Sequence, residues 1–339
     1  MEIRRFITKK LIAILVSVLI VIVIIIGYAN SVMKYPFSVN NKARFEVKKG
    51  DNLYTVINKL NEKSLIKNRT LLKVYVKYKK IPGEIKPGFY SIKAGESINS
   101  LIYDMKNGIF DETYVKVTIP EGFEISKIAD TLDEKGIISK DKFLKACTEY
   151  KLPSYIKDDN NRKYKLEGYL FPDTYEFKKN TDGKIIIDTM LSRFDAVMMS
   201  IKKESTNKIS DLDNIVTMAS IIEREAEVQN ERAVIASVFY NRIKENMKLQ
   251  SCATVEYALG YHKDKLTYND LKVKSNYNTY LVNGLPEGPI CSPGKQSILA
   301  AINPENTNYI YFVSKNNGTH FFTNNYNEFL KVKKQTQGF

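Results

Sequence analysis

The sequence predicts an α+β fold in which one transmembrane helix precedes a repeated α/β region and a C-terminal domain of mixed helices and strands. Three observations support this prediction. A charge-free apolar run fills residues 11–27, a strand–Gly–helix pattern recurs after it, and two amphipathic helices lie between residues 211 and 245. At 339 residues the chain is long enough to form two or three domains with cores of their own.

The N-terminal segment has the composition of a membrane anchor. Residues 11–29 are predominantly apolar, close to the ~20 residues that cross a bilayer. The Arg and Lys residues within positions 1–10 predict a cytoplasmic tail, with the bulk of a single-pass protein outside the cell membrane. A cleaved signal peptide is the alternative, because Gly27-Tyr28-Ala29 fits a small-x-small cleavage site. Its apolar region would exceed the usual length of roughly 7–15 residues, which favours the anchor.

An internal repeat follows a polar linker at residues 30–43. Residues 47–60 align with residues 119–132, and a shorter copy lies between them. Each copy reads as a strand, a Gly turn and a helix. The pattern resembles LysM-like modules, which bind glycans that contain N-acetylglucosamine. Duplicated packing architecture without sugar affinity is the equal alternative. We expect a LysM-like region at 44–115 and a further copy at 116–150, inside a C-terminal domain of residues 116–339.

Composition and charge narrow the classes of partner and site. The formal charge of +14 comes from scattered basic residues without a nucleic-acid motif, so an anionic cell envelope is favoured over nucleic acid. Three cysteines and two histidines fit no zinc spacing, so we expect neither a metal nor a cofactor. We expect Cys252 and Cys291 to form a disulfide when oxidised, because both lie in irregular loops of an exported domain.

Two predicted helices, 211–227 and 231–245, form the centre of the C-terminal domain. On the first, one apolar face comprises Ile215, Met218, Ala219, Ile222 and Ala226. Glu223 and Glu225 lie on opposite flanks of that face, at about 100° per residue. A partly desolvated carboxylate there can act as a general acid, although Glu and Arg at a helix border more often form a solvated edge. Periodicity does not choose between the two residues.

The motifs around these helices carry a resemblance to a known family. Ala219-Ser-Ile-Ile-Glu-Arg-Glu225, Ala236-Ser-Val-Phe-Tyr-Asn-Arg242 and Met247-Lys-Leu-Gln250 stand in the same order as in the MltG/YceG-like endolytic murein transglycosylases. The match continues through Gly284-Leu-Pro-Glu-Gly-Pro289 and, upstream, through Leu166-Glu-Gly-Tyr-Leu-Phe-Pro-Asp-Thr-Tyr175. In that family the first Glu of the Ala-Ser-Ile motif is catalytic, which corresponds to Glu223.

The resemblance also implies where substrate binds. The residues that it suggests for substrate contact, all in motifs or loops, are Glu167, Gln250, Tyr277, Asn278, Thr279, Tyr280 and His320. A structural role is the alternative for each: a turn for Glu167, a loop-stabilising corner for the Tyr-Asn-Thr-Tyr motif and a structural histidine for His320. Many members have Thr-Asp-Pro after Leu-Gln, whereas this chain has Ser251-Cys252-Ala253, so the role of that Asp is not carried over.

The chemistry implied is non-hydrolytic cleavage of peptidoglycan glycan strands between N-acetylmuramic acid and N-acetylglucosamine. A single Glu serves as acid and then as base, and the C6 hydroxyl closes a 1,6-anhydro ring at high effective concentration. The expected partners are glycan strands, the cell membrane and peptidoglycan synthases, with a role in ending or trimming nascent strands. The alternatives are a hydrolytic muramidase, which needs a second carboxylate such as Glu167 or Glu225, and a non-catalytic glycan-binding scaffold.

Overall fold

The computed structural model describes residues 2–81, 83–111, 114–205, 209, 211–263 and 265–338, with side chains from residue 15 onward. The chain divides into two compact units, Met1–Glu112 and Thr113–Phe339. The predicted domain boundary between residues 115 and 116 lies inside a strand of the second unit, Tyr114–Thr118.

Helix α1, Glu2–Lys34, opens the first unit. Its stretch Leu15–Lys34 has 20 residues and a mean hydropathy of 2.6, so it is long and apolar enough to cross a membrane. A signal sequence near the N-terminus passes the same test of length and hydropathy.

The rest of the first unit is a small α/β fold in which two strands pair with each other. Two helices lie between these strands in the sequence. Its elements are β1 (Lys42–Val47), α2 (Leu53–Glu62), α3 (Arg69–Tyr78), β2 (Gly88–Lys93) and α4 (Ile98–Asn107). Strands β1 and β2 are antiparallel, with Lys42 opposite Lys93 and Val47 opposite Gly88. The strands contribute alternate side chains and the helices one apolar face each to a single core, which includes Phe45, Leu53, Leu72, Ile92 and Leu101.

The second unit begins with the same order of elements and then becomes mainly helical. Its elements are β3 (Tyr114–Thr118), α5 (Ile125–Glu134), α6 (Lys140–Glu149), β4 (Thr174–Lys178), α7 (Gly183–Glu204), α8 (Leu212–Glu225), α9 (Arg232–Lys244), α10 (Cys252–Leu259), α11 (Lys295–Ile302), β5 (Tyr311–Ser314), β6 (His320–Thr323) and α12 (Tyr326–Gln337). Strand β3 pairs antiparallel with β4, and β5 pairs antiparallel with β6.

The repeat has one local structure in all three copies. In each copy a strand is followed by a glycine of positive φ and then by a helix, with Gly50 at 91°, Gly95 at 77° and Gly122 at 78°. Glycine occupies this region of φ without a steric penalty, so it lets the chain turn sharply from strand to helix. The strand–Gly–helix prediction is therefore confirmed, while the LysM-like character of these copies and their binding of glycan remain predictions.

The predicted pair of central helices is confirmed, with slightly shorter ends. Helix α8 ends at Glu225 because Ala226 leaves the helical conformation, with φ −87° and ψ 117°. A short 3₁₀ turn, Gln229–Glu231, then leads into α9. Helix α8 is buried along most of its length and packs against α9, α10 and α11. This packing places the C-terminal turn of α8, with both of its glutamates, beside the loops that precede α10 and α11.

Candidate active site

Glu223 lies in the last turn of α8 with its carboxylate held by two donors. Its side chain is 7% exposed. Oε1 accepts a hydrogen bond from Nη2 of Arg232 at 3.3 Å, and Oε2 accepts one from the backbone N–H of Gly294 at 2.9 Å. Gly294 is the N-cap residue of α11, so the carboxylate also lies at the positive end of that helix dipole. The guanidinium, the amide and the dipole all stabilise negative charge on Glu223.

Arg232 connects three helices at this point. It is the first residue of α9, and its Nε donates to Oγ of Ser297 on α11 at 3.0 Å while Nη2 reaches Glu223 on α8. A guanidinium has several donors in a fixed plane, so one side chain can hold both partners. The orientation of Glu223 therefore depends on the packing of α8, α9 and α11 together.

A second carboxyl group, that of Glu121, lies beside Glu223. Glu121 is an exposed residue in the loop between β3 and α5, and its carboxyl packs on the Cα of Gly294. A methyl group added to Gly294 would lie within 2.6 Å of both carboxyl oxygens. Partial burial and repulsion from Glu223 raise the pKa of Glu121, against the opposing charge of Arg232.

Sequence reasoning missed Glu121. In the alignment of the three copies, Glu121 takes the place of Lys49 in the first copy and Ala94 in the second, and such variation is typical of an exposed turn. Glu121 lies 102 positions before Glu223, so no local pattern connects the two residues.

Glu225 lies on the other flank of α8, as predicted, in a different environment. Its Oε1 accepts a hydrogen bond from Oγ of Ser251 at 2.5 Å. Burial raises the pKa of Glu225, against the hydrogen bond from Ser251 and the charges of His320 and Arg242. A raised pKa suits a general acid, so Glu225 is the rival of Glu223 for that role.

Glu167 is fully buried and connects α5 to α10. Its Oε1 accepts a hydrogen bond from the N–H of Ile125, the first residue of α5, at 3.0 Å, and its Oε2 accepts one from Oη of Tyr257 at 3.0 Å. Burial, with repulsion from Glu124, raises the pKa of Glu167 to about 8. These contacts hold the start of α5 and leave the Glu167 side chain with no exposed surface, while substrate contact by Glu167 remains a prediction.

The Tyr-Asn-Thr-Tyr motif is mostly inside the protein. Asn278 and Thr279 are fully buried, and Tyr277 is 5% exposed. The Asn278 amide donates to the carbonyls of Leu271 and Val273, and Oγ1 of Thr279 accepts from the N–H of Ser251 at 3.0 Å. These bonds fix the loop that follows α10.

Two of the residues proposed for substrate contact, Gln250 and Tyr280, have side chains that solvent can reach. Gln250 is exposed at a positive φ of 51°, and its N–H donates to the carbonyl of Thr279 at 3.1 Å. Tyr280 is half-buried, with its hydroxyl 3.4 Å from Sγ of Cys252. Substrate contact remains a prediction for all seven residues that were named for it.

His320, at the start of β6, pairs with Glu231 instead of facing open solvent. The His320 side chain is 8% exposed. The backbone N–H of His320 donates to both carboxylate oxygens of Glu231, and its ring Nδ1 lies 2.7 Å from Oε2 of Glu231. The pair joins the hairpin to the turn before α9. Among the residues that the structure describes, no three His, Cys, Asp or Glu side chains are grouped to hold a metal ion.

The expected bridge between Cys252 and Cys291 is wrong for this structure, in which both thiols are free. Sγ of Cys291 is buried and donates to the carbonyl of Ser220 at 3.3 Å. Cys252 begins α10, is exposed, and contacts Tyr280. The partner of Cys291 lies on α8, and the partner of Cys252 lies in the loop after α10. The positions of both cysteines in predicted loops therefore did not indicate that their thiols contact each other.

Comparison with known proteins identifies the family. The model of the YceG-like family matches residues 45–335. An endolytic murein transglycosylase of Bacillus subtilis is 35% identical over 299 residues, which cover 84% of this chain and 82% of that protein. One from Streptococcus pneumoniae is 30% identical over 86% of this chain, which spans 58% of that longer protein. A crystal structure of a yceG-like protein from Listeria monocytogenes matches 87% of this chain with a TM-score of 0.60 and 33% identity. The chain belongs to the YceG-like family.

Proposed function

We propose that this protein is a membrane-anchored endolytic lytic transglycosylase that cleaves peptidoglycan glycan strands between N-acetylmuramic acid and N-acetylglucosamine. The observation that carries the proposal is Glu223, an acid at the end of a buried helix whose anionic form has two prepared donors, Arg232 and the Gly294 amide. The family and the names of the relatives support the substrate class.

In the proposed reaction Glu223 first acts as an acid. It gives its proton to the glycosidic oxygen as the bond from that oxygen to C1 of N-acetylmuramic acid breaks. The carboxylate that results is negative, and Arg232 and the helix α11 terminus stabilise the charge as it forms. Preorganised donors of this kind lower the barrier because they need no reorganisation during the reaction.

Glu223 then acts as a base. It takes the proton from the C6 hydroxyl of the same sugar, whose oxygen bonds to C1 and closes the 1,6-anhydro ring. The proton count balances, since the enzyme regains the proton that it gave away. No water enters, and the attacking group is already attached to the reacting sugar, which gives it a high effective concentration.

The N-terminal helix would hold the enzyme at the cell membrane, with residues 1–10 in the cytoplasm and the catalytic unit outside. There it would end or trim strands delivered by peptidoglycan synthases. The LysM-like region would bind the same glycan through its repeated strand–Gly–helix modules. A mature form that starts near Asn30 and appears in the culture fluid would contradict the anchor.

One observation favours a second candidate, a hydrolytic muramidase. Hydrolysis needs a second carboxylate near the acid, and Glu121 lies close to Glu223. Glu167 is buried elsewhere and Glu225 lies on the other flank of α8, so neither supplies it.

Product analysis separates the candidates. The full-length protein in detergent is incubated with uncrosslinked peptidoglycan strands, and the products are weighed by mass spectrometry. A 1,6-anhydro end is lighter by one water than a hydrolysed end, so the expected products are anhydro species. Reducing-end products would establish the muramidase, and intact strands would establish a non-catalytic scaffold.

A further inference from the structure

The loop that carries Glu121 is fixed against the loop that carries Gly294. The N–H of Gly122 donates to the carbonyl of Ser292 at 2.8 Å, and the N–H of Ser292 donates to the carbonyl of Phe123 at 2.8 Å. The two segments therefore pair through their backbones directly beside Glu121. On the other side of this loop, a methyl group added to Gly122 would lie 3.8 Å from Cγ of Glu223. Glu121 is held at the edge of the Glu223 site by backbone bonds.

The carboxyl group of Glu121 is available to a ligand. In the part of the chain that the structure describes, no hydrogen bond or ion pair is made to it, and the residue is exposed. Glu223 is different, because both of its oxygens are engaged and little of its side chain is exposed. The two groups thus form a pair in which one is fixed by the protein and the other is open to solvent.

The surroundings of Glu121 disfavour a negative charge on its carboxyl group. The charges that act on it are those of Glu223, which repels it, and of Arg232, which attracts it but is already bonded to Glu223 and Ser297. Like charges that are brought together destabilise each other. A positive charge that develops on a sugar between the two glutamates would be attracted to Glu121. Cleavage of a glycosidic bond produces such a charge, since its transition state resembles an oxocarbenium ion.

We propose that Glu121 is a second catalytic carboxylate, which contacts the sugar at the cleaved bond and stabilises the positive charge that develops at C1. It forms no covalent bond to the sugar and transfers no proton. The inference deepens the proposed function and rests on the assignment of Glu223 as acid and base. Glycine at position 294 leaves room for the Glu121 carboxyl, which a larger side chain would displace.

The test compares three variants of the full-length protein in detergent on uncrosslinked glycan strands. Glu121→Gln keeps the shape but removes the charge, and Glu121→Asp keeps the charge on a shorter side chain. The matched control is Glu134→Gln, which removes the same charge from an exposed position at the far end of α5. Initial rates give kcat and KM, and mass spectrometry identifies the ends of the residual products.

We expect Glu121→Gln to lower kcat by about 10²-fold, the order observed when one preorganised electrostatic group is removed. Glu121→Asp should fall between Glu121→Gln and the wild type, and Glu134→Gln should match the wild type. Product ends should remain anhydro. The thermal midpoint of Glu121→Gln should be at least as high as that of Glu134→Gln, because the substitution removes the repulsion from Glu223 and no described residue bonds to the carboxyl.

Three results would overturn the proposal. Equal kcat values for Glu121→Gln and Glu134→Gln would show that the charge does not act on the reaction. A loss of activity that only matches a loss of folded protein would assign Glu121 a structural role. Reducing ends from the wild type would make Glu121 part of a hydrolytic pair, and the proposed function would then fail as well. If Glu223→Gln is inactive and the wild type yields anhydro ends, a normal Glu121→Gln removes this inference alone.

Discussion

The carboxylate of Glu223 accepts a hydrogen bond from the backbone N–H of Gly294, 71 residues further along the chain, at 2.9 Å. Glu223 lies in the last turn of one helix and Gly294 begins another, so the bond connects the C-terminal turn of α8 to the N-terminus of α11. Residue 294 must supply this amide and also leave room for Glu121. One small residue therefore organises both carboxyl groups of the site.

Gly294→Ala should reduce activity without disturbing the backbone. Gly294 has φ −73° and ψ 167°, values that alanine adopts without strain, so the effect should come from the new methyl group alone. That group would overlap Oε1 of Glu121 and would displace it. Glu121 keeps its charge and is only displaced, so we expect kcat to fall, as in Glu121→Asp, by less than the roughly 10²-fold that loss of one electrostatic group produces. Gly83→Ala is the control, because a methyl group there meets open space. Equal rates for the two variants would contradict the account.

Arg232→Lys should weaken the site although it keeps the charge. Lysine has one ammonium group and cannot reach Ser297 and Glu223 with separate donors in one plane, as Arg232 does. We expect kcat to fall by about 10-fold, the factor that corresponds to about 1.4 kcal/mol. Arg193→Lys is the control, because Arg193 forms an exposed ion pair with Asp173. Steady-state rates that are the same for both variants would show that the bridge is not needed.

Glu167 should make the stability of the protein depend on pH. The pKa of Glu167 is raised from 4.5 to about 8 in the folded protein, so the folded state binds this proton more tightly than the unfolded chain. Its contribution to stability is therefore fully present below about pH 4.5 and is lost as the pH rises through about 8. Between these values the free energy of unfolding falls by up to about 1.4 kcal/mol per pH unit. Glu124, whose pKa burial also raises, contributes with the same sign.

Thermal unfolding between about pH 5 and pH 8 measures this effect. Glu167→Gln keeps a neutral group of the same shape, so the midpoint should decline less steeply with pH than in the wild type. Glu134→Gln should keep the wild-type slope, because Glu134 is exposed. A wild-type slope in Glu167→Gln would show that the buried carboxyl does not titrate in this range.

The cysteines should react at very different rates. Cys252 is exposed, whereas Cys147 and Cys291 are buried. Burial raises the pKa of all three thiols, that of Cys147 to about 12 and that of Cys291 well above its ordinary value. Only Cys252 has an exposed side chain, and its hydrogen bond with Tyr280 opposes the rise of its pKa, so Cys252 keeps the most accessible thiolate. We expect iodoacetamide to alkylate Cys252 alone in the folded protein, as peptide mass spectrometry would show. If both Cys252 and Cys291 resisted alkylation until a reductant was added, the result would contradict the free thiols and show a disulfide between them.

Patterns of local origin were predictable from the sequence. The repeated strand–Gly–helix order follows from residue spacing, and the structure confirms it. The two central helices also form, but the single apolar face predicted for α8 is wrong, because the consecutive residues 216–222 are all buried and Ile215 is only partly buried. The helix end was less accurate, because Ala226 continues the apolar pattern and is buried although it is no longer helical. Burial and helical conformation are separate properties, and periodicity reports only the first.

Relationships between distant segments were not predictable. Glu167 is adjacent to a glycine and resembles a turn residue, yet it is buried because α5 and α10 each direct a donor at it. Glu121 reaches the site only through the pairing of its loop with residues 292–294. The cysteine prediction failed for the same reason. Cys252 and Cys291 were both predicted to lie in irregular loops, but their thiols bond to different parts of the domain.

The central claim is that Glu223, and not Glu225, is the acid and base. The most direct measurement is the rate of anhydro-product formation by Glu223→Gln and Glu225→Gln, with the folded fraction of each determined by thermal unfolding. General acid–base catalysis contributes about 10²–10⁴-fold, so Glu223→Gln should lose activity by about that factor while it stays folded. Glu225→Gln should lose activity only in proportion to its loss of folded protein, since its carboxylate bonds to Ser251. Near-normal turnover by Glu223→Gln, with a folded and inactive Glu225→Gln, would contradict the account.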